Sequence, residues 1–197
     1  LIMRRLYWLG THRAGWVKVW CAGVEREASS AMIFGRGSRS DMEHCIGRSM
    51  LSQRVRVHLV GVAGNGVQMA NCLARLDIAM RALGHPYGLH VTAFDGDRVS
   101  ESNVGRQIYS PADVGLHKAL VTINRLNQYF GLDWDAVPRH YDTSLVSDHG
   151  SCPSIVISCV DSARARRDLH RRLFQRGARA TYWLDLGNTE SGAQVVL

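Results

Sequence analysis

"VRVHLVGVAGNGVQMANCLARLDIAMRALGH", residues 55–85, passes through three patterns in succession. The first seven residues are a short stretch with valine at 55, 57 and 60 that ends in glycine, which predicts a strand over 55–61. "GVAGNG" (61–66) follows, and after it Val67, Met69, Ala70, Leu73, Leu76, Met80 and Leu83 recur at helical spacing. That spacing predicts a helix over 64–85 with Cys72 on its core face and Gly84 as its stop. In a strand–glycine turn–helix unit the glycines let backbone approach a phosphate, and the first N–H groups of the helix face the anion. The G-x-G-x-x-G spacing is met by Gly61 and Gly66, whereas Ala63 holds the middle position and Gly64 adds a further permissive residue. Two readings are open at this point: a nucleotide loop or a tight structural turn.

The chain keeps alternating on either side. "LHVTAFD" (89–95) reads as a strand, 113–130 as a helix stopped by Gly131, and "WDAVPRHY" (134–141) as an edge strand at best, because Pro138 cannot donate to a ladder. "SIVISCV" (154–160) is a continuous apolar run of the kind a buried parallel strand shows. Ser162 caps an Arg-rich helix over 163–176 closed by Gly177, with Leu169, Leu173 and Phe174 inward and its arginines on a solvated face. "TYWLDLG" (181–187) and "GAQVVL" (192–197) are further strands, with Trp183 and Leu184 in the core. The alternation predicts an α/β fold: a doubly wound, mostly parallel Rossmann-like sheet with helices on both faces.

Residues 1–50 lack sustained periodicity and read as a poorly ordered or non-native N-terminal extension. The first residue is Leu, and Met42 and Met50 stand just before the first strand. A small N-terminal subdomain or dimer arm is the other reading. The final strand breaks off within its apolar run, which reads as a C-terminal truncation of the domain spanning 51–197.

Composition excludes several function classes. With 46% hydrophobic and 21% charged residues the chain is globular, and it has no apolar run of the roughly 20 residues that span a bilayer. Five scattered cysteines without a C-x-x-C pair point to reduced thiols in a cytoplasm and give no metal-site spacing. The net charge of +7 lies mostly in residues 1–56, where ten Lys and Arg face four Asp and Glu. Residues 57–197 carry fourteen against thirteen, too even for a nucleic-acid footprint on the folded part. Arginine outnumbers lysine 22 to 2, so Lys118 is conspicuous.

Lys118 belongs to "FDGDRVSESNVGRQIYSPADVGLHKA" (94–119), which opens at the end of the second strand. A carboxylate there, Asp95, accepts hydrogen bonds from ribose hydroxyls, and up to this residue a nicotinamide or flavin dehydrogenase fits equally well. Asn103, Arg106, Gln107 and Lys118 go further. A ribose needs none of them, whereas a triphosphate under attack needs cations where charge develops. Arg supplies a planar fork and Lys a compact point charge. Asp161 ends the strand 154–160 at the same edge, and a lone carboxylate there suits a magnesium ion kept largely hydrated.

"DGDRVSESNVGRQ", "VGLHKA", "SCVDS" and "WLDLGNTESGAQVV" resemble the ThiF/MoeB/ubiquitin-activating superfamily over about residues 54–197. The long first helix and the "YWLDLGN" segment are most similar to the ThiF-like members of PRTRC plasmid systems. The resemblance implies an adenylyltransferase that activates the C-terminal carboxylate of a small ubiquitin-like or sulfur-carrier protein with ATP, acting as a homodimer. Residue by residue, it implies that Asp95 holds the ATP ribose and that Gly61, Gly64 and Gly66 line the phosphates. Asn103, Arg106 and Gln107 would flank the triphosphate, Lys118 would contact it, and Asp161 would help hold magnesium. Asp97 would shape the turn, and a partner-subunit arginine would reach the phosphates, with Arg54 and Arg56 only loosely placed for it. Ala63 and Ser162 depart from the family pattern. Cys159 reads as core, and His44, His85, His117 and His170 as surface or satisfied residues, with a phosphate contact the alternative for His117 beside Lys118. A nicotinamide- or flavin-binding oxidoreductase and an inactive scaffold of a plasmid-borne system are the rival readings.

Overall fold

A computed structural model of the chain describes residues 46–142, 153–174, 180–188 and 193–196. The expectation for residues 1–50 therefore lies, up to residue 45, outside the described residues. So do the helix stop at Gly177 and the side chain of Phe174. Six strands form one sheet: β1 Val55–Val60, β2 Leu89–Phe94, β3 Asp135–Val137, β4 Ile155–Ser158, β5 Tyr182–Asn188 and β6 Ala193–Val196. Their order is β3-β2-β1-β4-β5-β6, with the first five parallel and β6 antiparallel to β5. Helices are α1 Ser49–Ser52, α2 Gly64–Ala82, α3 Lys118–Phe130 and α4 Ala163–Phe174.

Alternation along the strands separates two cores. Val57 and Leu59 of β1, Val91 and Ala93 of β2 and Ile157 of β4 pack with Val67, Ala70 and Leu73 of α2 and Ile123 and Leu126 of α3. Val60 and Val156 point the other way, onto Leu169 and Leu173 of α4. On that second face His58 lies against the rings of Phe94 and Tyr141. Helices thus cover both faces, as a doubly wound sheet requires. Among the described residues no helix is long and apolar enough to cross a membrane.

Three local expectations are corrected. The helix expected over 113–130 begins at Lys118, because Asp113 is spent capping a short turn through the Ser110 N–H, and Gly115 then takes a positive φ of 86°. Cys72, expected in the core, is exposed. Leu76 and Leu83 are exposed as well, the latter at 67%. The inward face of α2 runs Val67, Ala70, Leu73, Ala74, and its next member is Asp77 at 1% exposure.

Asp77 is buried because it is fully occupied. It accepts the Leu89 N–H at 2.6 Å and the Arg81 Nε–H at 2.9 Å, fastening the end of α2 to the start of β2. Nearby, His85 Nε2 lies 2.9 Å from the Met50 carbonyl and its Nδ1 accepts the Gly88 N–H at 2.8 Å. That pairing sets the Nε2–H tautomer and makes His85 a satisfied structural residue. Asp77→Ala should cost about 2–3 kcal/mol by leaving the Leu89 N–H buried and unpaired, lowering the thermal midpoint by several degrees. Asp77→Asn keeps an acceptor and should lose less, as thermal unfolding followed by circular dichroism will show.

Candidate functional site

The strand order reverses between β1 and β4, and a crevice for ligands opens outside the carboxyl ends of strands at such a point. Gly61 leaves β1 there with φ of 88°, a conformation that side-chain-bearing residues avoid. A Cβ on Gly61 would also come within 3.1 Å of the Cys159 carbonyl, so the loop after β1 runs directly against the loop after β4. A Cβ on Gly66 would overlap the Gly61 carbonyl oxygen. These two glycines are required by close backbone approach. Gly64 differs: a Cβ there meets nothing within 4 Å, so this first residue of α2 faces open space. Ala63, the departure from the glycine pattern, sits at φ −86°, which any L-residue adopts without strain.

Asp95 joins this loop to the long polar stretch. It is buried, and its carboxylate accepts the Val62 N–H at 2.7 Å on one oxygen and the Asp97 N–H at 2.8 Å on the other. Each carboxylate oxygen has a second lone pair, so these bonds leave acceptor capacity. Beyond Asp97 the chain makes an excursion and returns to pair with its own start. Val99 N–H donates to the Leu116 carbonyl, Gly115 N–H to Val99, and Lys118 N–H to Asp97. The polar stretch is therefore a closed loop, and its closure delivers Lys118 beside Asp97.

Within that loop Asn103 accepts the Ser100 N–H on its side-chain oxygen at 3.0 Å and caps a turn of 3₁₀ helix over Glu101–Asn103. Gln107 N–H donates to the Asn103 carbonyl at 2.9 Å, and Gly105 at φ 74° turns the chain between them. Arg106 lies exposed on this turn. The Gln107 Oε1 and the His117 Nδ1 are both buried without a hydrogen-bond partner among the described residues.

Sequence reasoning missed Tyr109. Its hydroxyl donates to the Val62 carbonyl at 2.7 Å and lies 3.3 Å from Thr122 Oγ1, tying the loop and α3 to the glycine turn. Burial pushes the phenol up to about 12, so it remains a donor throughout the physiological range. A tyrosine within an otherwise polar run was the available signal.

Lys118 is the most informative group. It is 7% exposed, it is the first residue of α3, and Asp97 Oδ2 at 3.4 Å is its hydrogen-bond partner. Asp97 itself is 61% exposed. Burial disfavours the ammonium, and so does the positive end of a helix dipole. One long bond to a solvated carboxylate compensates little of either. The arrangement leaves room for an anion to complement the ammonium.

Asp161 stands exposed after β4, one strand over from Gly61, with the Cys159 N–H bonded to the Val60 carbonyl at 2.8 Å between them. Cys159 is core: burial, then the charge of Asp185, push its thiol up to about 12. Arg54 and Arg56 lie at the amino end of the six-residue strand β1, about 20 Å from this edge of their own chain. Arg54 is bound to Asp133 and holds that carboxyl below its usual range. Among the described residues no three His, Cys, Asp or Glu side chains gather into a metal cage.

The ThiF family model matches residues 47–187. The fold is similar to E. coli tRNA N6-threonylcarbamoyladenosine dehydratase, TcdA, in complex with ATP, at 26% identity and a TM-score of 0.51 over 64% of this chain and 49% of that one. The AMP complex of the same enzyme gives 27% identity and 0.51, over 65% and 50% of the two chains. E. coli MccB with succinimide shares the fold at 17% identity and 0.51, over 68% of this chain and 37% of that one. The chain thus spans about half the length of the TcdA chains it matches. No curated protein sequence matches it.

The two described thiols should separate in reactivity. At pH 8 iodoacetamide should alkylate Cys72 and spare Cys159 in the folded protein, while both react in guanidinium. Peptide mapping by mass spectrometry reads this directly, and equal labelling of the two in the folded state would contradict the burial of Cys159.

Proposed function

The chain belongs to the ThiF family, and on that premise we propose that it activates a carboxylate with ATP, releasing pyrophosphate and leaving an acyl-adenylate. The observation that supports this most is Lys118, a buried cation at a helix N-terminus with one long bond to Asp97. Such a residue costs the folded protein stability, and sites that break local rules this way are those where function sets the residue. A triphosphate supplies the charge it lacks.

In this reading Asp95 binds the ribose, and Gly61, Gly64 and Gly66 bring backbone to the phosphates. The open face at Gly64 fits a ligand over the first turn of α2. Asn103, Arg106 and Gln107 flank the triphosphate, and the buried, unpartnered Gln107 Oε1 is suited to a hydroxyl or amine donor on the ligand side. The attacking carboxylate is already ionised and needs no general base, so the protein contributes alignment and charge stabilisation at the α-phosphorus. Asp161, exposed and without a partner among the described residues, fits magnesium, which takes one or two protein carboxylates and fills its shell with phosphate and water. Magnesium would supply charge neutralisation across the phosphates.

We assign the acid substrate as the C-terminus of a small ubiquitin-like or sulfur-carrier protein, with the chain acting as a homodimer. The even charge of residues 57–197 favours a protein over a nucleic-acid substrate. ATP–pyrophosphate exchange with candidate small proteins tests this, and Arg106→Ala and Lys118→Ala should each lower exchange by about 100-fold. Exchange that survives both substitutions would remove the site assignment. NAD(H) binding without exchange would instead mark an oxidoreductase, and a stable partner complex without turnover a scaffold.

Lys118→Met separates a ligand-binding role for Lys118 from a structural one. It should lower exchange about 100-fold, as Lys118→Ala does, while raising the stability of the nucleotide-free protein by about 1 kcal/mol, since it removes a buried cation from a helix N-terminus. Urea unfolding measures this, and a large loss of stability would show that Lys118 holds the fold.

A further inference from the structure

Behind the loop that carries Asp161 lies a buried polar network that the site residues above do not include. Asp185 on β5 is 2% exposed. Its Oδ1 accepts the Ser158 hydroxyl at 2.5 Å, and Ser158 Oγ in turn accepts the Trp183 Nε1–H at 2.9 Å. Its Oδ2 lies 3.1 Å from Arg166 Nε. Arg166, on α4, uses a second nitrogen to donate to the Val160 carbonyl at 2.6 Å. The expectation that the arginines of α4 form a solvated face fails at this residue.

We propose that Arg166 and Asp185 are positioning residues that fix the loop carrying Asp161, so that Asp161 meets the magnesium–triphosphate in one orientation. Val160 immediately precedes Asp161, so its carbonyl is a handle on the carboxylate. The loop is held on its other sides too. Cys159 N–H bonds the Val60 carbonyl at 2.8 Å, and Ser162 caps α4 through the Ala165 N–H at 3.4 Å and accepts the Arg166 N–H on its carbonyl at 3.1 Å. Without Arg166 the Val160 peptide loses its side-chain restraint.

Two features argue that this pair serves geometry. A buried ion pair is weak support for stability, because desolvation offsets the attraction, and an apolar pair of similar volume folds as well or better. Second, β5 is shaped to admit the guanidinium: a Cβ on Gly187 would lie 2.5 Å from Arg166 Nη2. Within its own chain Arg166 is committed to Asp185 and the Val160 carbonyl. Arg166 Nε faces Asp185 as an ion pair without a hydrogen bond of its own, while the rigid guanidinium plane sets a second nitrogen on the Val160 carbonyl, a pose that a flexible lysine does not fix.

The inference rests on the role proposed for Asp161, and the test separates the two. Three proteins carry it: Arg166→Lys; the double variant Arg166→Met with Asp185→Leu, which leaves no orphaned charge; and Asp161→Asn. Hydrogen exchange of the peptide spanning 159–162 reads loop positioning without nucleotide. Calorimetric titration of ATP, with magnesium and with EDTA, and of AMP reads its consequence. In both Arg166 variants exchange at 159–162 should accelerate about tenfold while peptides of α2 are unchanged. The magnesium-dependent gain in ATP affinity should fall about 10- to 100-fold, as when a residue supporting a metal ligand is removed, with AMP affinity unchanged. Unchanged exchange at 159–162 overturns the proposal whatever ATP does. Faster exchange with the magnesium gain retained overturns it too, as does global unfolding of the double variant. A wild-type protein without any magnesium gain, or Asp161→Asn that keeps it, instead overturns the role of Asp161, while the exchange data still decide whether Arg166 restrains the loop.

Discussion

The carboxyl edge of the sheet depends on Asp95. Its carboxylate sits at the end of β2 and accepts one backbone N–H from the turn after β1 and one from its own loop. Hydrogen bonds to a charged acceptor contribute about 1.5–3 kcal/mol each, roughly twice a neutral bond. The consequences spread along the backbone. Val62, held by its N–H, offers its carbonyl to Tyr109, and Asp97, held by its N–H, offers its carbonyl to Lys118. One carboxylate thereby sets the glycine turn, the return of the polar loop and the first residue of α3 in a common frame. A residue read from sequence as a ribose acceptor is first of all the joint of the site.

The larger pattern was legible because it rests on periodicities of backbone geometry. Apolar runs such as 154–160 and the β-branched 55–61 marked parallel strands to within two residues, and Gly131 stopped α3 where expected, in the left-handed conformation at φ 66°. What was not legible depended on tertiary partners. A helical wheel treats Asp77 as polar and Leu76 as apolar, yet Asp77 faces inward because β2 presents the Leu89 N–H to it. The start of α3 lies five residues later than the helical pattern suggests, because Asp113 closes a local capping box with Ser110 and Arg125 then holds its carboxylate there. Arg166 looks like its neighbours in "ARARRD" until β5 supplies Asp185.

The candidate site can be read in its residue types, and less so in the contacts those residues make. Asn103 was singled out for a ligand, and its side-chain oxygen turns out to cap the turn at Ser100. On the proposed reading, its side-chain contact with a nucleotide is left to the amide nitrogen. Asp97 was read as a turn former; it also pairs with Lys118 through Oδ2. A motif of this density therefore combines a loop that closes on itself with the groups proposed for a ligand. Residue identity alone does not divide one from the other.

The two cations of the loop are held in opposite conditions, which bears on how the site would work. Lys118 is buried and fixed at the head of a helix, so its charge is preorganised and needs little rearrangement when an anion arrives. Arg106 is exposed on a glycine-containing turn, where its fork is solvated and must give up rotamer freedom to engage. A preorganised cation acts best where charge develops during reaction, because it costs no reorganisation at that moment. A solvated one acts through closure, after the ligand is already in place. On the proposed reading, Lys118 would stabilise charge as it develops at phosphorus, and Arg106 would engage the triphosphate once it is bound.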